Sequence, residues 1–341
     1  MNLATKYRPK TWEDITEQTL VWHMLKSLCE MPELPNRNFL LIGPAGCGKT
    51  TLGRIIATTI NNGSGEPIEI DAASHNGADA MREIVTQATQ FPIGSKYKIF
   101  IIDECHVLSN TAWQVLLKVL EESPARSVFI FCTTNPEKIP ATILSRVQTF
   151  QLSKISLDGI TKRLKYVLDN EINEGQSITY TMDAVGFIAK LANGGLRDSL
   201  TLLDKALAYS TDITIENLSV ALNLPNYDDY FTLLSAYAKR DNQQITQLVH
   251  MVYNSGVNFI KWFEGFHAFI VNVVKYIFTK DIQMTMIPSY YEDKISKYGA
   301  SHVIICLSLA NKLLELNKEL KSTQYLQEVA LTYLCQLPKK G

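Results

Sequence analysis

The sequence predicts a parallel α/β sheet domain followed by all-helical domains. Between residues 37 and 150, short apolar runs alternate with stretches of helical spacing, and this alternation is typical of a parallel sheet covered by helices. The runs 98–102 and 127–132 are continuously apolar, as expected for strands that are buried on both faces. After Ser156 the spacing is helical, and we expect no further strands.

The first domain, predicted over residues 1–153, contains strand candidates at 39–42, 68–70, 99–102, 128–132 and 149–152. Helices are expected between them at 51–60, 81–89 and 111–122. The last of these places Trp113, Leu116 and Leu120 on one face, and we expect it to end at Ser123-Pro124. Cys105 and Cys132 lie in apolar runs and are predicted to be small core residues.

Two helical domains are predicted after the sheet domain. In residues 154–223, apolar residues such as Ile160, Leu164 and Val167 recur at helical spacing, and the segment 224–227 then interrupts the pattern as a linker. Residues 224–341 contain a broad apolar stripe that runs from Phe259 to Ile277. Such a stripe favours a helical core, and its alternative is a collar surface that packs against neighbouring subunits.

Composition limits the class of protein. The formal net charge of −1 gives no global basic field, so DNA binding would depend on a local basic patch. The six cysteines are far apart and form no zinc or disulfide pattern, which indicates a reducing, cytoplasmic setting. Neither a signal peptide nor an apolar run of membrane-spanning length is recognisable, so we expect no membrane partner.

The most informative motif is a phosphate-binding loop that lies between a predicted strand and a predicted helix. It fits the pattern G-x-x-x-x-G-K-S/T, which places backbone N–H groups and a helix N-terminus around phosphates. The lysine is expected to reach the β- and γ-phosphates, and the threonine hydroxyl is expected to bind Mg²⁺. The loop residues are Gly43, Pro44, Ala45, Gly46, Cys47, Gly48, Lys49 and Thr50, followed by Thr51. The sequence therefore predicts a nucleoside triphosphate site.

A second motif ends the apolar run at 99–102 with two carboxylates, as in a Walker B strand. We expect Asp103 to bind Mg²⁺ and Glu104 to orient and deprotonate the attacking water. Asp103-Glu104-Cys105-His106 also spells D-E-x-H, which invites a helicase interpretation. The chain shows no second motor-like half, and we interpret His106 as a structural or coupling residue.

Three further polar residues are candidates for the reaction. Thr134 follows the run 128–132 and can hydrogen-bond the γ-phosphate or the water. Arg146 and Arg197 lie in loop-like contexts, and arginine stabilises phosphoryl transfer because it is permanently charged and donates two parallel hydrogen bonds. Without further context, an arginine at such a position is more often the partner in a surface ion pair.

Together these motifs resemble the AAA+ clamp-loader family, and within it the bacterial DNA polymerase III gamma/tau (DnaX) family. The resemblance covers most of residues 3–222 and has the family's order of motifs. It is carried by Lys6-Tyr7-Arg8-Pro9, the loop 43–51, Glu69-Ile70-Asp71-Ala72-Ala73-Ser74, Asp103-Glu104-Cys105-His106, Thr133-Thr134 (sensor 1), Ser145-Arg146 and Gly195-Leu196-Arg197-Asp198 (sensor 2).

The resemblance implies a role for each motif. Tyr7, Arg8 and Pro9 would contact the adenine of ATP. Arg146 would act in trans, as an arginine finger on the ATP of an adjacent subunit, and Arg197 would act in cis. Residues 154–223 would be a lid and 224–341 a collar for oligomerisation. Hydrolysis would then require an assembled ring or spiral, because one catalytic cation comes from a neighbour.

The sequence departs from the bacterial family in three places. Only residues 61–67 separate the helix after the loop from the second strand, so the family's four-cysteine zinc module is missing and no zinc is expected. Val147 replaces the cysteine of the S-R-C motif. The extension that separates tau from gamma is also expected to be missing. A reduced relative, from a bacterium or a phage-infected bacterium, is therefore expected.

The leading hypothesis is an ATPase subunit that opens a sliding clamp and loads it on primer-template DNA. Its partners would be other loader subunits in a pentamer, the clamp, and DNA bound without sequence preference through its phosphates. Gln90-Phe91-Pro92 is a candidate clamp contact or else a buried loop anchor, and Arg82 and Asn110-Thr111 are candidate DNA contacts. The alternatives are a helicase loader, a branch-migration motor, and a structural subunit that binds ATP without turnover.

Overall fold

A computed structural model describes residues 2–34, 36–122, 126–224 and 226–335. These residues form two compact units. Unit 1 takes the chain up to Ile178 together with Ile188–Lys205, and unit 2 takes Thr179–Phe187 together with the chain from Ala206 onward. The predicted domain boundaries at 153 and 223 remain predictions. The predicted helix stop at Ser123-Pro124 and Pro225 of the predicted linker lie outside the described residues.

A five-stranded parallel sheet forms the centre of unit 1, as predicted. The strands are β1 (Asn38–Ile42), β2 (Ile68–Asp71), β3 (Lys98–Asp103), β4 (Ser127–Thr133) and β5 (Gln148–Gln151). Their order is β2-β3-β4-β1-β5, so the strand before the phosphate-binding loop lies between the fourth and fifth strands of the chain. All pairings are parallel, and Asp71 pairs with Asp103 at one end of the sheet.

The helices of this part are α1 (Leu3–Lys6), α2 (Thr19–Cys29), α3 (Lys49–Ile60), α4 (Ala78–Ala88), α5 (Asn110–Glu122), α6 (Ala141–Leu144) and α7 (Leu157–Asn173). One face of the sheet packs against α2 and α3, and the other packs against α4 and α5. Because helices cover both faces, β3 and β4 are buried along almost their whole length. Cys105 and Cys132 are fully buried, as predicted.

Two more helices follow, α8 (Met182–Leu191) and α9 (Leu196–Tyr209). The segment 188–205, which ends α8 and begins α9, belongs to unit 1. Within unit 1, the backbone N–H of Leu3 donates to the carboxylate of Asp204 at 3.0 Å, and burial raises the pKa of that carboxyl. The N-terminus of the chain is therefore attached to α9.

Unit 2 is helical, as predicted, with one exception. The two-residue strands β6 (Thr179–Tyr180) and β7 (Asp212–Ile213) pair in parallel, so the prediction that strands stop at Ser156 was wrong. Pairs this short leave no periodic signal in the sequence. The helices are α10 (Ile215–Ala221), α11 (Tyr227–Lys239), α12 (Asn242–Asn254), α13 (Phe259–Thr279), α14 (Glu292–Ile295), α15 (Val303–Leu320) and α16 (Leu326–Leu334).

The core of unit 2 is aromatic and is organised around α13. Phe263, Phe266 and Ile270 are completely buried, so the stripe predicted over this helix forms a core. Tyr230 of α11 is also buried and donates its hydroxyl hydrogen to the carbonyl of Trp262 at 2.9 Å. In the described part of the chain, no single helix is long and apolar enough to cross a membrane, and the one pair that reaches this length, Ser289–Ile295 with Ala300–Leu320, is bent by 84°.

Candidate nucleotide site

The phosphate-binding loop connects the end of β1 to the start of α3 at one edge of the sheet. Gly46 and Gly48 have φ angles of 71° and 103°, which glycine adopts far more readily than other residues. At Gly46 a Cβ atom would also lie 3.0 Å from Cα of Gly195, the first residue of the sensor 2 motif. The backbone N–H of Leu196 donates to the carbonyl of Gly46 at 3.0 Å. The loop is therefore packed directly against the start of α9.

Lys49 is the first residue of α3, and its side chain turns back toward the loop. Its Nζ donates to the carbonyl oxygens of Gly43 and Pro44, each at 3.0 Å, and the residue is only 6% exposed. A buried ammonium at a helix N-terminus adds its charge to the positive end of the helix dipole. The arrangement is suited to a polyanion.

Thr50 and Asp103 meet at the ends of α3 and β3, although 53 positions separate them in the sequence. The Thr50 hydroxyl donates to Oδ2 of Asp103 at 2.6 Å, and the backbone N–H of Glu104 donates to Oδ1 of Asp103 at 3.0 Å. One hydroxyl and one carboxylate in contact are hard oxygen ligands of the kind that Mg²⁺ binds. These residues therefore fit a magnesium ion.

Glu104 follows Asp103 with a φ angle of 47°, in the left-handed region, which turns its side chain away from the direction of the strand. Its Oε2 accepts a hydrogen bond from the Thr134 hydroxyl at 3.2 Å and lies 3.2 Å from Nδ1 of His106. Thr133 Oγ1 lies 3.2 Å from the same Nδ1. The structure thus brings the Walker B glutamate and the sensor 1 threonine into contact.

A cavity of about 450 Å³ joins these elements within unit 1. Its lining contains most of the predicted site and adds residues that were not predicted. The predicted residues in the lining are Tyr7, Arg8, Pro9, Ala45, Gly46, Cys47, Gly48, Lys49, Thr50, Thr51, Asp103, Glu104 and Arg197. Gly43, Pro44 and Thr134 do not line it and instead contact Lys49 or Glu104. Burial raises the pKa of the Cys47 thiol, so this loop residue is neutral.

At the N-terminal side of the cavity, Tyr7 is held by α7. Its hydroxyl donates to Oε1 of Glu171 at 2.7 Å, and Nζ of Lys6 donates to the same oxygen at 2.6 Å. Burial and the Glu171 carboxylate raise the pKa of Tyr7 to about 12. Burial acts to raise the pKa of Glu171, but the hydrogen bonds from Lys6 and Tyr7 outweigh it, and the net shift is downward.

The cavity lining contains four basic side chains, and its four acidic side chains are Glu69, Asp103, Glu104 and Asp198. Arg8 and Arg197 line it together with Lys49 and Arg54, and burial together with the neighbouring Arg54 and Arg197 lowers the pKa of Arg8. Arg54 pairs with Glu69 of β2, with Nη2 2.7 Å from Oε2. A concentration of guanidinium groups beside a phosphate-binding loop favours a ligand with several negative charges.

Arg146 does not line this cavity. Its Nη2 donates to Oε1 of Glu121 at 2.6 Å, and its Nη1 donates to the carbonyl of Thr142 at 2.6 Å and to the Ser145 hydroxyl at 3.1 Å. It lines a separate surface depression, with Asn36, Asn38 and Leu120 among its neighbours. The other predicted groups therefore lie in or beside the cavity, whereas Arg146, the predicted arginine finger, lies at a different place on the surface.

Several residues around the cavity escaped sequence analysis. Gln18 is 8% exposed, and its amide donates to the carbonyl of Ser153 at 2.7 Å and accepts from the Ser153 N–H at 3.1 Å. Glu171 and Arg54 were also not predicted, and Glu69 was named only as part of the motif 69–74, without a role in the site. Arg54 follows Thr50 by one helical turn, which was the available signal for it. For Glu171 and Gln18 the sequence contained no such signal, because their partners are far away in the chain.

The candidate contacts for macromolecules lie on exposed surface. Phe91 is 76% exposed and Ile93 is 97% exposed, so Phe91 is not a buried loop anchor. Arg82 pairs with Asp79 on the same helix. Asn110 and Thr111 begin α5, where the Ser109 hydroxyl accepts from the N–H of Ala112 at 3.1 Å. Within the described ranges no cluster of three or more histidine, cysteine or acidic side chains is placed for a metal ion, and the prediction of no zinc stays a prediction.

Comparison with known proteins agrees with this architecture. Residues 66–156 match the family model of the DNA polymerase III delta subunit, and residues 159–212 match that of the DNA polymerase III clamp loader subunit ATPase lid domain. The RuvB branch migration motor of Thermotoga maritima superposes with a TM-score of 0.53 at 19% identity, covering 67% of this chain and 78% of RuvB. The fold is therefore that of an AAA+ protein with a P-loop.

Curated relatives give the family. The DNA polymerase III gamma subunit of Buchnera aphidicola from Schizaphis graminum is 32% identical, with 75% of each chain covered. The gamma/tau subunit of Mycoplasma genitalium is 34% identical over 82% of this chain and 50% of its own length. This chain belongs to the DNA polymerase III gamma/tau family of clamp-loader subunits. It spans about half the length of the Mycoplasma relatives that it matches.

Proposed function

We propose that this chain is an ATP-hydrolysing subunit of a sliding-clamp loader and that its site works only when a second subunit completes it. One observation carries the proposal. Lys49, Thr50, Asp103, Glu104 and Arg197 surround one cavity, whereas Arg146 lies in a different surface depression. Family membership supports the same function.

ATP binding would use groups that are already in place. The N–H groups of the loop and the N-terminus of α3 would surround the phosphates, and Lys49 would exchange the carbonyls of Gly43 and Pro44 for phosphate oxygens. Arg197 would reach the γ-phosphate in cis. Tyr7, Arg8 and Pro9 line the same cavity and would contact the adenine.

Hydrolysis would use the carboxylates at the end of β3. Thr50 and Asp103 would hold Mg²⁺, which neutralises charge on the phosphates when it is bound. Glu104 would orient the attacking water and accept its proton. Thr134 donates to Glu104, so its role as sensor 1 would run through this carboxylate.

Arg146 would complete the site of an adjacent subunit. A guanidinium that reaches the γ-phosphate in trans typically accelerates phosphoryl transfer by about 10³ to 10⁵-fold. ATP turnover would therefore report that the subunits have assembled, in a ring or spiral of five. ATP binding would order the interfaces that hold clamp and DNA, and hydrolysis would release both.

The clamp and the DNA would be bound by exposed groups. Phe91 and Ile93 are exposed apolar residues after α4 and would enter an apolar pocket of the clamp. The DNA would be held through its phosphates by Arg82 and the N-terminus of α5, without sequence preference.

The test is ATPase activity of the assembled subunits with and without sliding clamp and primed DNA. Joint stimulation by both supports the proposal. Indifference to the clamp contradicts it, and stimulation by a helicase or a branched junction instead would identify another AAA+ remodeller. Tight ATP binding without turnover under every condition would identify a structural subunit.

A further inference from the structure

We propose that Asn38 is a positioning residue for the arginine finger: its side-chain amide holds the backbone carbonyl of Arg146 and so fixes the point from which the guanidinium reaches an adjacent subunit. The inference rests on the proposed function, because it assigns a holder to the proposed finger. It concerns a residue that none of the sequence motifs includes.

Asn38 is a buried polar residue at the start of a strand that is otherwise apolar. It is the first residue of β1, and it is only 4% exposed. A buried amide is costly unless it forms a hydrogen bond. Within the described residues, the Asn38 side chain forms one hydrogen bond, in which Nδ2 donates to the carbonyl of Arg146 at 3.2 Å. This hydrogen bond therefore accounts for a polar side chain at this position.

Asn38 is itself firmly held by the sheet. β1 pairs with β4 on one side and with β5 on the other, and Asn38 lies opposite Phe129 of β4. Its backbone N–H donates to Oδ1 of Asn36 at 2.8 Å. The pairing of β1 with β5 begins one residue later, at Phe39 and Gln148. The Asn38 amide thus extends the connection between β1 and β5 to the residues that precede β5.

Arg146 lies in the short connection between α6 and β5, and both polar groups of its backbone are held. Its N–H donates to the carbonyl of Ile143 at 2.8 Å, and its carbonyl accepts from Asn38. The guanidinium differs, because its hydrogen bonds lie on exposed surface and its side chain is 33% exposed. A fixed backbone with exchangeable side-chain partners suits a group that must reach a neighbour's phosphate at a defined place.

Asn38 and the subunit's own phosphate-binding loop lie at opposite ends of β1. The strand runs from Asn38 to Ile42, and the loop begins at Gly43. A strand rises about 3.3 Å per residue, so roughly 16 Å separates Asn38 from the loop. Loss of the Asn38 amide should therefore impair the site that Arg146 serves and spare the site of its own subunit. A general loss of stability would affect both.

Two substitutions remove the donor and differ in how they fill the space. Asn38→Leu replaces the amide with an apolar side chain of similar length, and Asn38→Val introduces a β-branched residue that suits a buried strand. Ser127→Ala is the matched control. Ser127 is likewise a buried polar residue that begins a strand, and its hydroxyl donates to the carbonyl of Ala88 at 2.6 Å.

The first measurement is ATP turnover of the assembled loader with clamp and primed DNA. Both Asn38 variants should lower it by about 10 to 100-fold, since misplacement of a catalytic group by about 1 Å costs up to about 10²-fold. Ser127→Ala should stay within about twofold of wild type. The affinity for an ATP analogue should change by no more than about twofold in all three variants.

Mixed assemblies then locate the effect. Subunits with Glu104→Gln supply a finger and do not hydrolyse their own ATP, whereas subunits with Arg146→Ala keep their own site and supply no finger. In a mixture, fast turnover arises only where the first kind serves the second. Asn38→Leu in the finger-supplying subunit should lower this turnover by about 10 to 100-fold. The same substitution in the Arg146→Ala subunit should leave it within about twofold.

Equal losses in the two placements would overturn the inference, because Asn38 would then act on the fold of its own subunit. Unchanged turnover with N38L in the finger-supplying subunit would overturn it as well. Asn38→Val takes the place of N38L if the latter does not fold, and failure of both to fold, measured by Tm, would make Asn38 a purely structural residue and reject the assignment.

The same mixture separates the two proposals. If the mixture with native Asn38 hydrolyses ATP no faster than Arg146→Ala subunits alone, the proposed trans finger fails, and this inference fails with it. If that mixture turns over and the Asn38 variants match it, the inference alone fails.

Discussion

Arg146 and Glu121 form an ion pair in this chain, with Nη2 of the arginine 2.6 Å from Oε1 of the glutamate. The guanidinium also donates to the carbonyl of Thr142 and to the hydroxyl of Ser145. The predicted arginine finger therefore has partners of its own on the surface that carries it. Both side chains are about a third to a half exposed, at 33% and 47%, so solvent weakens the pair.

The first prediction is that Arg146→Ala preserves ATP binding and abolishes stimulated turnover. The loss should be about 10³-fold or more, because a trans arginine stabilises the charge of the transition state. Mixed assemblies of wild-type and R146A subunits would show whether the residue acts in trans. Restoration of R146A sites by wild-type neighbours confirms it, and unchanged turnover of R146A alone removes Arg146 as a finger.

The second prediction concerns Glu121, the ion-pair partner of Arg146. Glu121→Gln should raise stimulated turnover, because the carboxylate no longer competes with a neighbour's phosphate for the guanidinium. Exposed ion pairs contribute about 0.2–1 kcal/mol, so the gain should be at most about fivefold. A decrease would mean that Glu121 orients the finger. Glu122→Gln is the matched control on the same helix.

The third prediction is that Glu104→Gln binds ATP with unchanged affinity and hydrolyses it about 10² to 10⁴-fold more slowly, the usual contribution of a general base. Single-turnover measurement in the assembled loader separates chemistry from product release. Wild-type rates in this variant would exclude Glu104 as the base. Glu83→Gln, on α4, is a control for the loss of one negative charge.

The fourth prediction is that Phe91→Ser weakens binding to the sliding clamp and spares ATP binding. The aromatic ring is 76% exposed, so its removal costs little in stability, whereas a buried aromatic anchor in an interface contributes about 2 kcal/mol or more. Clamp affinity in the presence of an ATP analogue is the measurement. Met31→Ser, at a site 44% exposed, is the matched control, and equal clamp affinity for the two variants would exclude Phe91 from the interface.

The fifth prediction is a pH dependence at the N-terminal side of the cavity. The pKa of Glu171 lies below its ordinary value of 4.5, so its ionised form stabilises the folded state above that pH and the contribution is lost as the pH falls through the lowered pKa. Glu171→Gln should lower Tm at pH 7, and the difference from wild type should shrink below pH 4.5. Glu174→Gln, which loses only a more exposed contact with Lys6, should show a smaller effect. A difference that grows on acidification would contradict the assignment.

Much of the sheet domain was predictable because its signals are local. Continuous apolar runs gave β3 and β4 to within one residue at each end, and the loop before Lys49 was recognisable from its spacing alone. The pair β6 and β7 was missed, since two-residue strands leave no periodicity. The buried pairing of Gln18 with Ser153 was missed because it joins positions 135 residues apart.

The sequence by itself determined the chemistry: a loop that can wrap phosphates, a hydroxyl and a carboxylate for Mg²⁺, a candidate general base, and two candidate arginines. The tertiary structure decided which of these groups meet. The strand order puts β3 beside β4, and this brings Glu104 to Thr134. The packing of the chain also places Arg146 against Glu121, outside the cavity. Side-chain type and spacing follow from local sequence, whereas neighbours across a sheet depend on how the whole chain packs.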